Sequence, residues 1–116
     1  MRIDHVQVSC PTGGEDEARA FYGDLLGMTE VPKPPVLAAR GGCWFRSGEA
    51  ELHIGVEHDF HPARKAHPAF TVNDLDTLAE TLASKGFPVT WDDSIPGRRR
   101  FHTADPHGNR IELLAT

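Results

Sequence analysis

Hydrophobic and polar residues alternate in the first segment of the chain, residues 3–10, which reads IDHVQVSC. Val6 and Val8 fall on one face of this segment, and His5 and Gln7 fall on the other. Alternation with a period of two residues is typical of a strand that is buried on one side. The sequence therefore predicts a strand whose polar face carries His5 and Gln7.

A stripe of apolar residues with helical spacing follows. Ala18, Phe21, Tyr22 and Leu25 stand at positions i, i+3, i+4 and i+7, which predicts a helix with one buried face. Three acidic residues come just before the stripe, where the helix dipole favours carboxylates. Glycine-rich breaks then separate three predicted strands: residues 36–40, 43–46 and 50–57.

The same order of elements begins again at residue 67. The alternating segment HPAFTV is followed by a second helical stripe, for which Asn73 or Asp74 can serve as the N-cap and Gly86 as the stop. The strands predicted after this helix are residues 88–91, 98–104 and 109–115.

Equivalent residues of the two segments are separated by a nearly constant distance along the chain. His5 and His67 are 62 positions apart, and His53 and Glu112 are 59 positions apart. A matching order of elements at a near-constant offset indicates an internal repeat. We therefore predict one domain, residues 1–116, built from two β-α-β-β-β modules joined by a short linker: residues 1–58 and 66–116.

One helix covers only one face of a four-stranded sheet, so the other face of each module needs a partner. We expect an α+β fold in which the modules form an open half-barrel cleft, with the polar faces of the strands lining it. The side chains predicted to line the cleft share the polar face of their strands: His5, Gln7, Glu51, His53, His67, Arg110 and Glu112.

Composition and charge narrow the possible partners. The net charge of −5 argues against general nucleic-acid binding, which favours basic surfaces. The chain has no long apolar run that would predict a membrane span and no signal-peptide pattern. Cys10 and Cys43 lack metal-site spacing and lie in apolar strand patterns, so we expect reduced core residues of a cytoplasmic protein.

Four segments that span nearly the whole chain resemble the vicinal oxygen chelate superfamily: DHVQV, AFYGDLLGM, HPAF and DPHGNRIEL. That superfamily includes glyoxalase I, fosfomycin-resistance proteins, extradiol dioxygenases and bleomycin-resistance proteins. The resemblance implies a glyoxalase-like fold. It does not select one member, because the same scaffold hosts many chemistries.

The resemblance also implies a metal site. In metal-dependent members the ligands come from the first and last strands of each module, and His5, His67 and Glu112 match a set of two histidines and one carboxylate. His53 stands at the remaining ligand position, where it would be a fourth ligand or a substrate contact. Such a set suits divalent Zn, Ni, Co, Mn or Fe. Catalytic roles are implied for His53 and Glu112.

The sequence departs from glyoxalase I in two respects. Glyoxalase I typically has a glutamate for proton transfer at the position of His53, and here the nearest carboxylate on that face is Glu51. The chain also lacks an obvious segment to enclose a glutathione conjugate.

We expect a metal-dependent enzyme of lyase or isomerase type, acting on a small-molecule substrate. The alternatives are a metal-free protein of bleomycin-resistance type that sequesters a drug or metabolite, and an extradiol-type dioxygenase.

Alternation on two further strands predicts residues that would contact the substrate. If Phe45 and Phe101 face the helices, then the residues beside them turn inward, and Gln7 joins them from the first strand. Two inward arginines predict an anionic substrate, since the guanidinium binds carboxylate or phosphate in a bidentate manner; the alternative is that they pair with surface carboxylates. The predicted substrate-binding residues are Gln7, Trp44, Arg46, Arg100 and His102.

A homodimer is the expected assembly. Each half-sheet needs a facing half-sheet, and superfamily members commonly supply it from a second chain. His5 of one protomer would then meet His67 and Glu112 of its partner, which gives two equivalent sites per dimer.

Overall fold

The computed structural model describes all 116 residues and divides into two compact units, Met1–Pro62 and Ala63–Thr116. Each unit contains one open four-stranded sheet with mixed strand directions. The predicted fold class, two β-α-β-β-β modules, is therefore confirmed. None of the helices has the length and apolar character needed to cross a membrane.

The first unit has strand order β1-β4-β3-β2, with β1 parallel to β4 and the other neighbours antiparallel. Its strands are β1 (Val6–Pro11), β2 (Thr29–Val31), β3 (Cys43–Ser47) and β4 (Ala50–Glu57). Its helical segments are α1 (Glu15–Ala18), a π-helical continuation of α1 (Arg19–Leu25) and α2 (Pro35–Ala38).

The second unit repeats this topology with the order β5-β8-β7-β6, in which β5 is parallel to β8. Its elements are β5 (Ala69–Val72), α3 (Leu75–Ser84), β6 (Thr90–Trp91), β7 (Arg100–Ala104) and β8 (Arg110–Ala115). Asp74 caps α3, because its carboxylate accepts a hydrogen bond from the amide of Thr77 at 3.2 Å. The helix ends at Ser84, and Gly86 follows its C-cap with a φ of +88°, a backbone conformation that favours glycine.

The apolar faces of the strands are buried as the alternation predicts. Phe45 and Phe101 are almost inaccessible to solvent, and so are Leu52 and Ile54 of β4 and Ile111 and Leu113 of β8. The side chains between them therefore turn to the opposite face of their sheets. The buried strand residues of this core are Val8, Cys10, Cys43, Phe45, Leu52, Ile54, Phe101, Ile111 and Leu113.

The strand predicted at residues 36–40 is wrong, because this segment contains the short helix α2. Pro35 occupies its first turn, where the fixed φ of proline suits a helix and its missing amide hydrogen costs no hydrogen bond. The second strand of the module is instead β2, Thr29–Val31, which pairs antiparallel with β3.

The first predicted helix also differs in detail. After α1 its turns widen, so that the amide of Leu26 donates to the carbonyl of Phe21, five residues back, at 2.9 Å. Phe21 and Tyr22 are fully buried, whereas Leu25 is only half-buried. The predicted apolar stripe is therefore buried at its first three positions, Ala18, Phe21 and Tyr22, and only partly buried at Leu25.

The two cysteines are free and buried, in agreement with the prediction that they are reduced core residues. Each is only 1% exposed. Burial raises the pKa of the Cys43 thiol to about 11, so it remains protonated at neutral pH and is a poor nucleophile. Neither cysteine belongs to the polar face that carries the candidate site.

Candidate metal centre

Three side chains converge on the polar face of the second sheet. Glu112 lies in the middle of β8, and His102 lies directly opposite it on β7. His67 lies two residues before β5, which pairs with β8 on its other side. The sheet therefore presents two imidazoles and one carboxylate from three adjacent strands or strand ends.

The spacing of these groups fits the first coordination shell of a metal. Nε2 of His67 lies 2.9 Å from Oε1 of Glu112, and Nε2 of His102 lies 3.4 Å from the same oxygen. Donor atoms bound at about 2.1 Å to a tetrahedral or octahedral ion are themselves about 3.0–3.4 Å apart. The three donor atoms all lie within 4.8 Å of one another. A small ion can therefore contact all three with little movement of the side chains.

A backbone hydrogen bond fixes the orientation of His67. Its Nδ1 donates to the carbonyl oxygen of Lys65 at 2.8 Å, because a carbonyl can only accept. This leaves Nε2 directed at Glu112. Histidines that bind metals commonly donate their other ring nitrogen in this way, which sets the tautomer and the angle of the ring.

A network of charged groups holds Glu112. Nη1 of Arg100 donates to Oε2 of Glu112 at 3.0 Å, while Nη2 donates to Asp92 at 2.9 Å and to Ser94 at 3.1 Å. Burial alone raises the pKa of Glu112, but the hydrogen bonds from His67 and Arg100 outweigh it, and the net shift is downward. Glu112 is therefore ionised at neutral pH, which is the form that binds a cation.

The environment of His102 favours the neutral imidazole. Burial lowers its pKa, and the positive charge of Arg110 lowers it further. A neutral ring has a free lone pair on one nitrogen, as a metal ligand requires.

The first sheet carries a second set of two histidines and one carboxylate. His53 lies on β4, opposite Trp44 on β3 and beside Gln7 on β1. Its ring is stacked between those of His5 and Trp44, with centroid distances of 4.0 and 3.8 Å. The ring of His53 is therefore clamped from both sides.

Hydrogen bonds complete this first set. Nε2 of His53 lies 3.0 Å from Oε2 of Glu51, and Nη2 of Arg46 lies 2.6 Å from Oε1 of the same glutamate. Arg46, and then His53, lower the pKa of Glu51, so it is ionised. Nδ1 of His5 donates to Asp4 at 2.9 Å. The donor atoms of His5, Glu51 and His53 lie within 4.8 Å of one another.

The sequence profile of a known family matches residues 2–113 of the chain, and its description is Glyoxalase/Bleomycin resistance protein/Dioxygenase superfamily. The chain belongs to this superfamily.

Solved structures from the superfamily resemble the chain over nearly its whole length. A glyoxalase family protein from Bacillus anthracis is 52% identical, with a TM-score of 0.94 over 100% of this chain and 95% of that chain. Lactoylglutathione lyase from Agrobacterium tumefaciens is 21% identical, with a TM-score of 0.69 and coverages of 95% and 91%. An antibiotic binding protein from Streptomyces is 23% identical, with a TM-score of 0.72 and coverages of 99% and 98%.

The last two structures share the fold with this glyoxalase-superfamily chain, and their identities are too low to transfer a function. Curated proteins of known function give no significant match.

The structure groups the predicted metal ligands by module. His67 and Glu112 come together in the second unit, with His102 as a third donor. His5 and His53 come together in the first unit, with Glu51. That His5, His67 and Glu112 bind one shared ion stays a prediction.

The predicted substrate contacts have more varied surroundings. Trp44 packs on His53, and Gln7 lies over Gly55, where an added Cβ would come within 2.6 Å of the Gln7 amide nitrogen. Arg46 and Arg100 are both held by carboxylates, in agreement with the alternative of surface ion pairs. These two arginines therefore orient the glutamates of the site.

His102 was predicted from the sequence only as a substrate contact, and the structure adds it to the candidate ligands. Glu51 was predicted only to line the cleft as the carboxylate nearest to His53, and the structure groups it with His5 and His53. His102 lies opposite Glu112 in the hairpin, and Glu51 lies two residues before His53 on the same face of β4. Strand alternation combined with the hairpin register could therefore have identified both residues as candidate ligands.

Proposed function

We propose that the chain is a divalent-metal-dependent enzyme of lyase or isomerase type that acts on a small, metal-chelating molecule. The observation that carries this proposal is the convergence of Nε2 of His67 and Nε2 of His102 on one oxygen of Glu112. When bound, an ion such as Zn, Ni, Co, Mn or Fe would polarise an oxygen of the substrate.

The second module supplies three of the proposed ligands. Glu112 provides the charged oxygen, and His67 and His102 provide neutral nitrogens once the ion replaces any proton between them. Arg100 keeps the carboxylate of Glu112 in place through its second oxygen. His5 is proposed to contribute from the first module, as the superfamily pattern implies, within a homodimer that completes the site.

His53 and Glu51 are proposed as the pair that moves a proton. Ionised Glu51 can only accept, so Nε2 of His53 carries the hydrogen of their 3.0 Å contact. Unlike His67, His53 has no acceptor at Nδ1, which leaves this nitrogen with a lone pair that can take a proton from the substrate. Glu51 would then stabilise the resulting imidazolium.

The two rings beside His53 support this role. His5 and Trp44 hold the imidazole plane, and the residue is only 5% exposed. A ring that is fixed and mostly excluded from water loses little freedom when the substrate binds. We therefore expect His53 to act in the chemical step, and His67 and Glu112 to act in metal binding.

The proposal is tested by loading chelator-treated protein with each candidate ion and then screening small chelating compounds for turnover. The panel should contain 2-oxoaldehyde–thiol adducts, 2-hydroxycarbonyl compounds and, for dioxygenase activity, catechols under air. We expect metal-dependent turnover that His53→Ala lowers in kcat by about 100-fold or more, with unchanged metal content.

A binding protein would behave differently in the same experiment. Saturable binding of a compound, with equal affinity in metal-loaded and chelator-treated protein and without turnover, would favour the sequestering function and contradict the proposal. Conversion of catechols with consumption of oxygen would assign the dioxygenase alternative.

A further inference from the structure

A groove of about 210 Å³ lies on the second unit beside the candidate metal ligands. Arg64 and Arg110 line it, together with His102 and Thr90. Arg110 precedes Glu112 by two residues on β8 and shares its face of the sheet. One wall of the groove is thus His102, which also belongs to the metal-binding set.

A turn with buried hydrogen bonds lies beside this groove, and its Gly108 lines the groove. The carboxylate of Asp105 accepts the amide hydrogens of His107 and Asn109, each at 2.9 Å, and the side-chain amide of Asn109 donates to it at 2.9 Å. Asn109 is only 1% exposed. The sequence DPHGN therefore forms a rigid turn just before Arg110.

The same turn anchors the segment that carries Arg64. Oδ1 of Asn109 accepts the amide hydrogen of Ala63 at 3.0 Å, and the amide of Arg110 donates to the carbonyl of Ala63 at 2.8 Å. These two bonds tie residue 63 to the start of β8. The backbones of Arg64 and Arg110 are consequently held side by side.

The repeat shows that Arg110 is unusual. Arg46 and Glu51 face each other on β3 and β4, two residues from the Trp44–His53 pair, and neutralise each other. The second hairpin has the corresponding pair at Ala104 and Arg110. Alanine cannot neutralise the guanidinium, so this position has a positive charge without its cross-strand partner.

Neither groove arginine belongs to an ion pair. The arginines that do are Arg19, Arg46, Arg99 and Arg100. In a chain with a net charge of −5, two adjacent unpaired arginines in a groove concentrate positive potential locally. The guanidinium fork is suited to bind a carboxylate or phosphate group.

We propose that Arg64 and Arg110 form a subsite for an oxyanion group, carboxylate or phosphate, of the enzyme's ligand. This inference rests on the proposed function and assigns the charge of its substrate. His102 lines the groove and is also a member of the metal-binding set. The anionic group of the ligand would therefore bind next to the end of the ligand that chelates the metal. Arg46 and Arg100, the two arginines predicted from the sequence to bind the substrate, already form ion pairs with Glu51 and Glu112.

The subsite is tested with inorganic phosphate as the probe, by calorimetry on the purified chain of 116 residues. Arg64→Ala and Arg110→Ala should each weaken phosphate binding by about 10-fold or more, because each removes charged hydrogen bonds. Arg40→Ala removes an exposed arginine that belongs to no ion pair and lies outside the groove, and it should leave phosphate affinity unchanged. Arg64 is exposed, so its substitution should not impair folding.

Parallel titrations of chelator-treated protein separate the groove from the metal. Phosphate binding that survives chelation and falls in both groove variants supports the subsite, even if the chain proves to bind no metal. Phosphate binding that disappears on chelation, or that is equal in wild type and both groove variants, would overturn it. The metal content of Arg110→Ala should equal that of wild type, so failure of the subsite and failure of the proposed function give different results.

Discussion

Replacing Glu112 with glutamine is expected to weaken binding of a divalent ion by more than about 100-fold. Loss of groups that merely orient a ligand typically costs 10–100-fold in metal affinity, and Glu112 is proposed as a ligand itself. Its oxygen lies 2.9 and 3.4 Å from the two imidazole nitrogens. Glutamine has the same shape but lacks the negative charge. Competition with a fluorescent chelator measures the affinity directly.

His107→Ala provides the matched control for this prediction. His107 lies in the turn before β8, outside both sets of candidate ligands. Its substitution should leave metal affinity within a factor of about two, since it removes an imidazole without touching the proposed donors. If wild type and Glu112→Gln bound the metal with equal affinity, Glu112 would not be a ligand.

Replacing Phe101 with alanine is expected to lower the free energy of unfolding by about 3–5 kcal/mol. Phe101 is fully buried, lies opposite Leu113 in the sheet, and packs against the ring of Trp91 at a steep angle, with a centroid distance of 5.2 Å. Truncation removes a large apolar surface and leaves a cavity that the sheet cannot fill. Urea denaturation followed by circular dichroism measures this loss.

The control is Ile95→Ala, in the loop between β6 and β7. Ile95 is 47% exposed, so its truncation should change the free energy of unfolding by less than about 0.5 kcal/mol. A loss at Phe101 as small as that at Ile95 would mean that the apolar face of the second sheet is not its stabilising core.

Alternation and repeat spacing were enough to predict the elements that position the site. The faces of β1, β3, β4, β7 and β8 follow from period-two patterns, and the helix α3 follows from its cap and its apolar stripe. Short segments were harder to predict. The strand Thr29–Val31 has only three residues, and the helix Pro35–Ala38 has one turn, so neither is long enough to show a period.

The donor set of the second module depended on information that alternation does not contain. His102 faces Glu112 only because the turn at residues 105–109 fixes the register of β7 against β8. A shift of one residue would put Thr103 there and turn His102 to the other face. The partners of Arg46 and Arg100 could not be predicted from alternation either, because long side chains on one face of a sheet can reach several carboxylates.

Metal analysis of the purified chain tests the central claim most directly. Protein dialysed against Zn, Ni, Co, Mn or Fe(II), and then against metal-free buffer, should retain about one ion per chain of at least one of these metals. Because one shared set of ligands is proposed, His67→Ala and His5→Ala should each lose that ion. A wild-type chain that retains no ion after any of the five dialyses would contradict the account, and full occupancy in His5→Ala would remove the first module from the site.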